Sequence, residues 1–170
     1  MTLALFALNV NAQDEVSDTS GAKSNGTFKI GASIGIPVAD AADISTFVLG
    51  VDAYYYFTSI DAFLELGVTA GFRNFFGDDI EIGGLTVEVD DVQFLPLAAA
   101  ARLKLFGIVS GGADIGYAIG INDGNDGGFY FRPVVGIDIA DTIELNASYE
   151  NISNDGVNLG NLNVGVLFEF

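Results

Sequence analysis

The sequence lacks several residue types that particular functions require. Its 170 residues include no cysteine, no histidine and no tryptophan, with only three prolines and one methionine. Without cysteine there is no disulfide framework. Without cysteine or histidine the usual thiol nucleophiles and general bases are missing, so carboxylates and hydroxyls would have to perform any catalysis. We therefore predict that the protein is not an enzyme and has no catalytic residues, no cofactor and no metal site.

Positive charge and long apolar runs are scarce too. Six basic residues stand against 23 acidic ones, and the formal net charge is −17. Because nucleic-acid binding needs Lys and Arg against the phosphates, no nucleic-acid partner is predicted. Half of the residues are hydrophobic, yet no run approaches the roughly 20 apolar residues of a membrane-spanning helix. This combination favours a single domain in the form of a β-barrel.

The chain begins with an apolar segment and then a polar one. Residues 1–12, MTLALFALNVNA, have the apolar core and small residues that are typical of a secretory signal peptide, although the usual basic start is missing. We interpret them as a signal-peptide remnant, with a buried N-terminal segment as the alternative. Residues 13–26 are polar and lack periodicity, which predicts a flexible periplasmic lead-in. The remaining residues, 27–170, are predicted to form the barrel.

Eight segments in this part of the chain alternate apolar residues with small or polar ones. They cover residues 28–36, 47–57, 62–73, 94–105, 109–120, 129–139, 143–150 and 162–170. Most have about the 9 to 11 residues that a tilted strand needs to cross a bilayer. Short turns alternate with longer acidic connectors, which is typical of outer-membrane barrels with extracellular long loops and periplasmic termini. The predicted fold is all-β, an eight-stranded antiparallel up-and-down transmembrane β-barrel.

The polar face of these segments indicates what the barrel encloses. It is built from Gly, Ser, Ala and scattered charges, which suit a narrow lumen better than a water-exposed surface. Opposite charges confined in such a lumen can pair, which partly offsets their loss of water. We therefore predict a plugged lumen. Its charge network comprises Lys29, Asp52, Glu65, Arg73, Arg102, Lys104, Asp114, Arg132, Asp138, Glu144, Glu150 and Glu169.

Strand directions predict neighbours within this network. Lys29 and Glu169 should be adjacent where the first and last strands close the barrel, and Arg132 should lie opposite Glu150. Pro96 and Pro133 fall inside segments, where each removes a backbone donor, so a bulge or irregular pairing is predicted near each.

Aromatic residues of the apolar face gather at the two ends of the predicted strands. One group is Phe28, Tyr55, Phe57, Phe168 and Phe170, and the other is Phe47, Phe72, Tyr117, Phe129, Phe131 and Tyr149. Two such groups are typical of the girdles at membrane interfaces. The alternative is a general preference of aromatic residues for strand ends.

The last nine residues, LNVGVLFEF, carry the sharpest motif. Apolar residues stand at every second position, and the terminal positions of this pattern are Val166, Phe168 and Phe170. With this closing strand, residues 27–170 resemble the eight-stranded outer-membrane barrels of the OmpX and OmpA transmembrane-domain type. The resemblance implies a monomer in contact with outer-membrane lipid and lipopolysaccharide, and an assembly signal read by the outer-membrane assembly machinery. Enzymes of this architecture rely on histidine, which this chain lacks.

Two of the longer connectors suggest surface roles. In 79–91, DIEIGGLTVEVDD, a turn signal separates two alternating arms, which predicts a hairpin with the apolar stripe Ile80, Ile82, Leu85, Val87 and Val89. In the resembling family a protruding sheet is associated with adhesion, whereas a hairpin folded over the barrel mouth would hide the stripe. Residues 121–128, INDGNDGG, lack the late Glu of a calcium loop and are interpreted as an acidic turn, with weak divalent-cation contact at lipopolysaccharide as the alternative.

The predicted function is that of a non-enzymatic outer-membrane barrel with a structural, adhesive or surface-interaction role. A cell-surface protein is a candidate partner. The alternatives are a narrow, porin-like small-solute channel and a soluble ligand-binding barrel.

Overall fold

The computed structural model describes residues 26–60, 63–82, 85–87, 89–140 and 142–170. The predicted signal-peptide remnant and all of the predicted lead-in except Gly26 lie outside these residues. Within the described part of the chain, no helix is long and apolar enough to span a membrane.

Eight long strands form one closed antiparallel barrel, and two short strands form a separate hairpin. The barrel strands are β1 (Thr27–Ala39), β2 (Ser45–Ile60), β3 (Leu64–Gly77), β6 (Val92–Leu105), β7 (Val109–Gly120), β8 (Gly128–Ala140), β9 (Ile143–Asn154) and β10 (Val157–Glu169). The hairpin consists of β4 (Ile80–Ile82) and β5 (Leu85–Val87), and a 3-10 helix spans Asp40–Asp43. Barrel neighbours follow chain order, and β10 pairs with β1 to close the ring. The predicted fold is confirmed.

The two ends of the barrel differ in their connections. At the turn end, where β1 begins and β10 ends, strands are joined through 61–63, 106–108 and 141–142. At the loop end they are joined through 40–44, 78–91, 121–127 and 155–156. The last of these is shorter than predicted, because Asp155 and Gly156 both have positive φ, 47° and 89°. Consecutive positive φ values make the tight hairpin turn that an Asp-Gly pair favours, so β9 and β10 extend further than expected.

The outer face of the barrel is apolar along its strands. Ile34 is 53% exposed and Val164, its partner across the β1–β10 seam, is 60% exposed, whereas the adjacent inward Ser33 is 8% exposed. Aromatic residues lie on this face at both ends: Phe28 faces Phe170 with ring centroids 6.4 Å apart at the turn end. Toward the loop end Tyr117 pairs with Phe129. The period of two therefore separates an apolar exterior from the lumen.

Pro96 and Pro133 interrupt strand pairing without shifting its register. On one side of Pro96 and of Pro133, two residue pairs are missing from the ladder, and the register is the same before and after each gap. The predicted irregularity is confirmed, and it takes the form of lost pairs rather than of a bulge. Proline removes one backbone donor, and a ladder can lose a bond without inserting a residue. Register shifts occur instead beside Thr46, Phe57 and Ile139.

Gly111 and Gly112, adjacent in β7, differ in the space available for a side chain. A Cβ on the inward Gly112 would collide with the backbone oxygen of Ala101, whereas one on the outward Gly111 meets no described atom within 4 Å. We expect Gly112→Ala to lower the free energy of unfolding by about 1–3 kcal/mol, because β6 must shift. Gly111→Ala should change it little. Urea unfolding in detergent micelles measures both, and equal midpoints would contradict this account.

Candidate functional site

The lumen is the chemically distinctive part of the molecule. Every charged residue of the eight barrel strands lies on the inner face, and these are the twelve residues singled out from the sequence. Most are nearly inaccessible: Lys29 is 2% exposed, Arg73 and Glu150 are 0% exposed. Because one strand face contacts the apolar exterior and the other a narrow interior, charge is confined to the interior by the strand period.

Arg73 is the hub of the buried charges. Its Nη2 lies 2.9 Å from Asp52 Oδ1, and its Nε lies 2.8 Å from Glu150 Oε2. The hydroxyl of Tyr130 donates to the same Glu150 oxygen at 2.9 Å, and Asn161 Nδ2 donates to the other at 3.3 Å. One guanidinium thus joins carboxylates from β2 and β9 across the lumen.

Arg132 extends this hub to the other side of the barrel. Its Nη1 lies 3.0 Å from Asp52 Oδ2 and donates to the Tyr54 hydroxyl at 2.9 Å. Tyr54 in turn donates to Asp114 Oδ2 at 2.8 Å. Arg102 completes the chain with an ion pair of 2.8 Å to Asp114 Oδ1. We call this set the central network: Asp52, Tyr54, Arg73, Arg102, Asp114, Tyr130, Arg132 and Glu150.

The partners within the central network differ from those predicted. The ladder on either side of Pro133 puts Arg132 opposite Glu150 in register, as expected. Arg132 nevertheless pairs with Asp52, and Glu150 is held by Arg73. Long side chains in a barrel this narrow reach across the lumen, so the neighbour along the wall is not the only accessible partner. Tyr54 and Tyr130 were not predicted, although both stand at inward positions of their strands.

A second layer of charge lies at the turn end. Lys29 Nζ is 2.9 Å from Glu144 Oε2 and 3.3 Å from Glu169 Oε2. Lys29 and Glu169 are also register partners across the β1–β10 seam, so the predicted adjacency is confirmed. On another side of the barrel, Lys104 Nζ lies 3.3 Å from Glu65 and 3.7 Å from Asp138.

Apolar side chains close the lumen at the loop end. We call the group the apolar plug, and it comprises the buried residues Ala41, Val48, Phe75, Phe94, Ala98, Ala118, Tyr130 and Ile152. Phe75 and Phe94 pack edge to face with centroids 5.8 Å apart. Ala41 comes from the 3-10 helix and is 0% exposed. The sequence analysis missed this plug, although five of its residues stand at inward positions within the predicted segments: Val48, Phe94, Ala98, Ala118 and Tyr130.

The loop end also carries the predicted hairpin. Ile80 pairs with Val87 and Ile82 with Leu85, Val89 is half-buried, and the packing of the paired side chains lies outside the described residues. The long connector is anchored by Asp91, which accepts from Asn74 Nδ2 at 2.9 Å. Among the described residues, no three acidic side chains converge as metal ligands would.

The predicted assembly signal is on the outer face of β10 at the turn end. Phe168 is 44% exposed, Phe170 is 78% exposed and Val166 is half-buried. The backbone N–H of Phe170 donates to the Phe28 oxygen at 2.9 Å, which ties the last residue to β1.

The hub predicts a large effect of one substitution. Arg73→Met removes the cation that Glu150 and Asp52 share while keeping similar apolar bulk. We expect a loss of about 3–5 kcal/mol of unfolding free energy, because the buried Glu150 carboxylate is left unpaired. Lys104→Met, which removes a half-buried amine with longer ion pairs, should cost about 0–1 kcal/mol. Urea unfolding in micelles compares them, and equal losses would refute the central role of Arg73.

Comparison with known proteins places the fold. No family model matches the sequence, and no curated protein matches it significantly. Among solved structures, the Yersinia pestis outer membrane protein Ail aligns with 84% of this chain and 99% of its own, with TM-score 0.57 and 15% identity. The N-terminal β-barrel domain of Pseudomonas aeruginosa OprF aligns with 88% of this chain and 100% of its own, with TM-score 0.51 and 15% identity.

A designed transmembrane β-barrel aligns with 85% of this chain and 95% of its own, with TM-score 0.53 and 12% identity. At such identities the likeness concerns the fold alone. The chain resembles eight-stranded outer-membrane barrels in structure, and its fold is that of an eight-stranded transmembrane β-barrel.

Proposed function

We propose that this protein is a non-enzymatic barrel of the bacterial outer membrane, with both termini periplasmic, that serves a structural or adhesive role. The observation that carries the proposal is the complete separation of charge: twelve charged residues of the barrel strands face inward. A water-exposed barrel would reverse this arrangement, because its outer face would be polar and its inner face apolar. The soluble ligand-binding barrel is therefore disfavoured.

A structural role is favoured over transport by the way the lumen is filled. In the central network, three guanidinium groups meet three carboxylates, so the formal charges balance and the side chains hold one another across the lumen. The apolar plug closes the loop end above them. An ion entering from that side would meet apolar groups first and then a fully paired network, neither of which can replace its hydration water.

The loop end has a distinctive charge. All basic residues in the described chain are inside the barrel. The charged residues that the described part of the loop end exposes are all acidic: Asp40, Asp43, Asp78, Asp79, Asp90, Asp123, Asp126 and Asp155. The Yersinia pestis protein has been crystallised with the heparin analogue sucrose octasulfate. A polysulfated ligand is not expected to bind this acidic surface, because like charges repel. For the same reason, a protein partner of the loop end would present neutral or basic groups.

Contacts with the envelope follow from the same proposal. The outer face would contact outer-membrane lipid and the acyl chains of lipopolysaccharide, and the aromatic residues at both ends would lie at the membrane interfaces. Val166, Phe168 and Phe170 would present the closing strand to the assembly machinery. A monomer is expected, because a closed barrel leaves no free sheet edge in the membrane.

Conductance tests the closed lumen. Reconstituted into planar bilayers, the protein should show no stable openings, because the apolar plug and central network block the path. Phe94→Ala, which thins only the plug, should remain silent as well. Insertion is verified by the shift in gel mobility between unheated and heated samples. Stable single-channel steps from the unsubstituted protein would support the small-solute channel instead.

The adhesive role depends on the hairpin. Replacing Ile82 and Val87 by Ser should reduce binding of proteoliposomes to cultured cells or extracellular matrix several-fold, because it removes two of the five residues of the predicted apolar stripe. Thr86→Ser on the same strand is the matched control and should bind normally. The heat-modifiable gel shift should persist in all variants. Unchanged binding of the double variant would remove the hairpin from this role and leave the structural one.

A further inference from the structure

The turn end contains a cavity that the proposed function does not use. It has a volume of about 320 Å³ and lies between the barrel mouth and the interior. Its charged lining residues are Lys29, Lys104, Asp138, Glu144 and Glu169. We call this cavity the turn-end vestibule. Its volume is near the lower end of the range for small-molecule sites, roughly 300–1,000 Å³.

Charge in the vestibule is unbalanced, unlike charge in the central network. Two lysines and the three carboxylates of Asp138, Glu144 and Glu169 line the vestibule, and Glu65 adds a fourth carboxylate through its ion pair with Lys104. Two minus four leaves a formal charge of −2 for the lining together with Glu65. The ion pairs of Lys104, at 3.3 and 3.7 Å, are longer than the 2.8–3.0 Å pairs of the central network. Its side chain is also 23% exposed. The vestibule therefore has room for additional positive charge.

A second, independent observation is a buried hydroxyl near Glu144, one of the residues that line the vestibule. Ser110 is 3% exposed, and its Oγ has no hydrogen-bond partner among the described residues. A Cβ on Gly136 would lie 2.5 Å from Ser110 Oγ and 2.6 Å from Glu144 Oε1, so the two oxygens converge above this glycine. The other Glu144 oxygen is engaged by Lys29. Ser110 Oγ and Glu144 Oε1 together can accept hydrogen bonds from one N–H donor group.

The spacing of the acids favours an organic cation over a metal ion. No three acidic side chains in the described chain approach one another as metal ligands would. The carboxylates instead form two groups, one around Lys29 of β1 and one around Lys104 of β6. Ile108, Ile143 and Leu167 add apolar surface to the lining. Two acidic groups combined with an apolar wall match a short alkyl chain with an ammonium group at each end.

We propose that the turn-end vestibule binds an aliphatic diamine. One ammonium group would donate to Glu144 Oε1 and Ser110 Oγ, and the other would join Lys104 between Glu65 and Asp138. The methylene groups would cover the apolar wall. Two added charges would bring the formal charge of the lining together with Glu65 from −2 to zero. This site is separate from the loop end, so it extends the proposed function and does not rest on it.

Calorimetric titration of the full-length, micelle-embedded protein with 1,4-diaminobutane tests the proposal. At low ionic strength we expect saturable binding with one molecule per barrel. n-Butylamine, which keeps the chain but has one charge, should bind at least tenfold more weakly. Asp138→Asn should weaken diamine binding about tenfold, and Ser110→Ala should weaken it measurably. Asp123→Asn removes the same charge at the loop end and should leave binding unchanged.

Three results would overturn the proposal. The first is the absence of saturable heat with 1,4-diaminobutane while the gel shift shows a folded barrel. The second is an equal loss of affinity in Asp138→Asn and Asp123→Asn, since it would indicate attraction to overall charge. The third is displacement of the diamine by Mg²⁺ as effective as by a second diamine at the same ionic strength. None of these results would affect the lipid-facing exterior or the hairpin.

Discussion

Closure of the sheet across the β1–β10 seam is the constraint on which the rest of this structure depends. In hydrocarbon, an unpaired backbone N–H or C=O has no water to bond, so a β-structure crosses a membrane only if every strand has two neighbours. Here the first and last strands pair over eleven residues, from Lys29 with Glu169 to Ala39 with Leu159. Once the ring is closed, each strand has one face toward the apolar exterior and one toward the lumen. Charged side chains of the strands therefore lie in the lumen.

Confinement then dictates how the charges are arranged. In the middle of the barrel, side chains such as Arg73 and Glu150 have no access to solvent, and an unpaired charge there would be strongly destabilising. The central network is accordingly neutral, and the hydroxyls of Tyr54 and Tyr130 donate further hydrogen bonds to its carboxylates. At the turn end, where the Glu169 side chain is 35% exposed, water screens the charges and an excess of two carboxylates is tolerated.

Along the barrel axis the lumen has three regions: the apolar plug, the central network and the turn-end vestibule. The apolar plug at the loop end and the neutral network in the middle make the interior a packed core, which supports the membrane-spanning wall. The turn-end vestibule is the part of the lumen with space and unbalanced charge. The acidic loops and the hairpin belong to the connectors at the opposite end of the barrel. Residues at the two ends can therefore change, and function with them, while the membrane-spanning wall keeps its structure.

Sequence by itself determined the architecture and the orientation of each side chain in the wall. Strict alternation assigned Lys29, Arg132 and the other strand charges to one face, because successive residues of a strand point to opposite sides. Strand direction alone placed Lys29 beside Glu169. Alternation also marked Tyr54 and Tyr130 as inward, yet gave them no partner.

Only the tertiary structure decided which groups meet inside. Arg132 binds Asp52, 80 positions away and on a strand that is not its neighbour, because the choice depends on the width of the lumen and the reach of each side chain. Phe75 and Phe94 meet in the apolar plug because both lie on the inner faces of the paired strands β3 and β6, and Phe75 stands in a part of β3 beyond the predicted segment. Alternation is a property of one strand, and a contact across the lumen is a property of the closed ring.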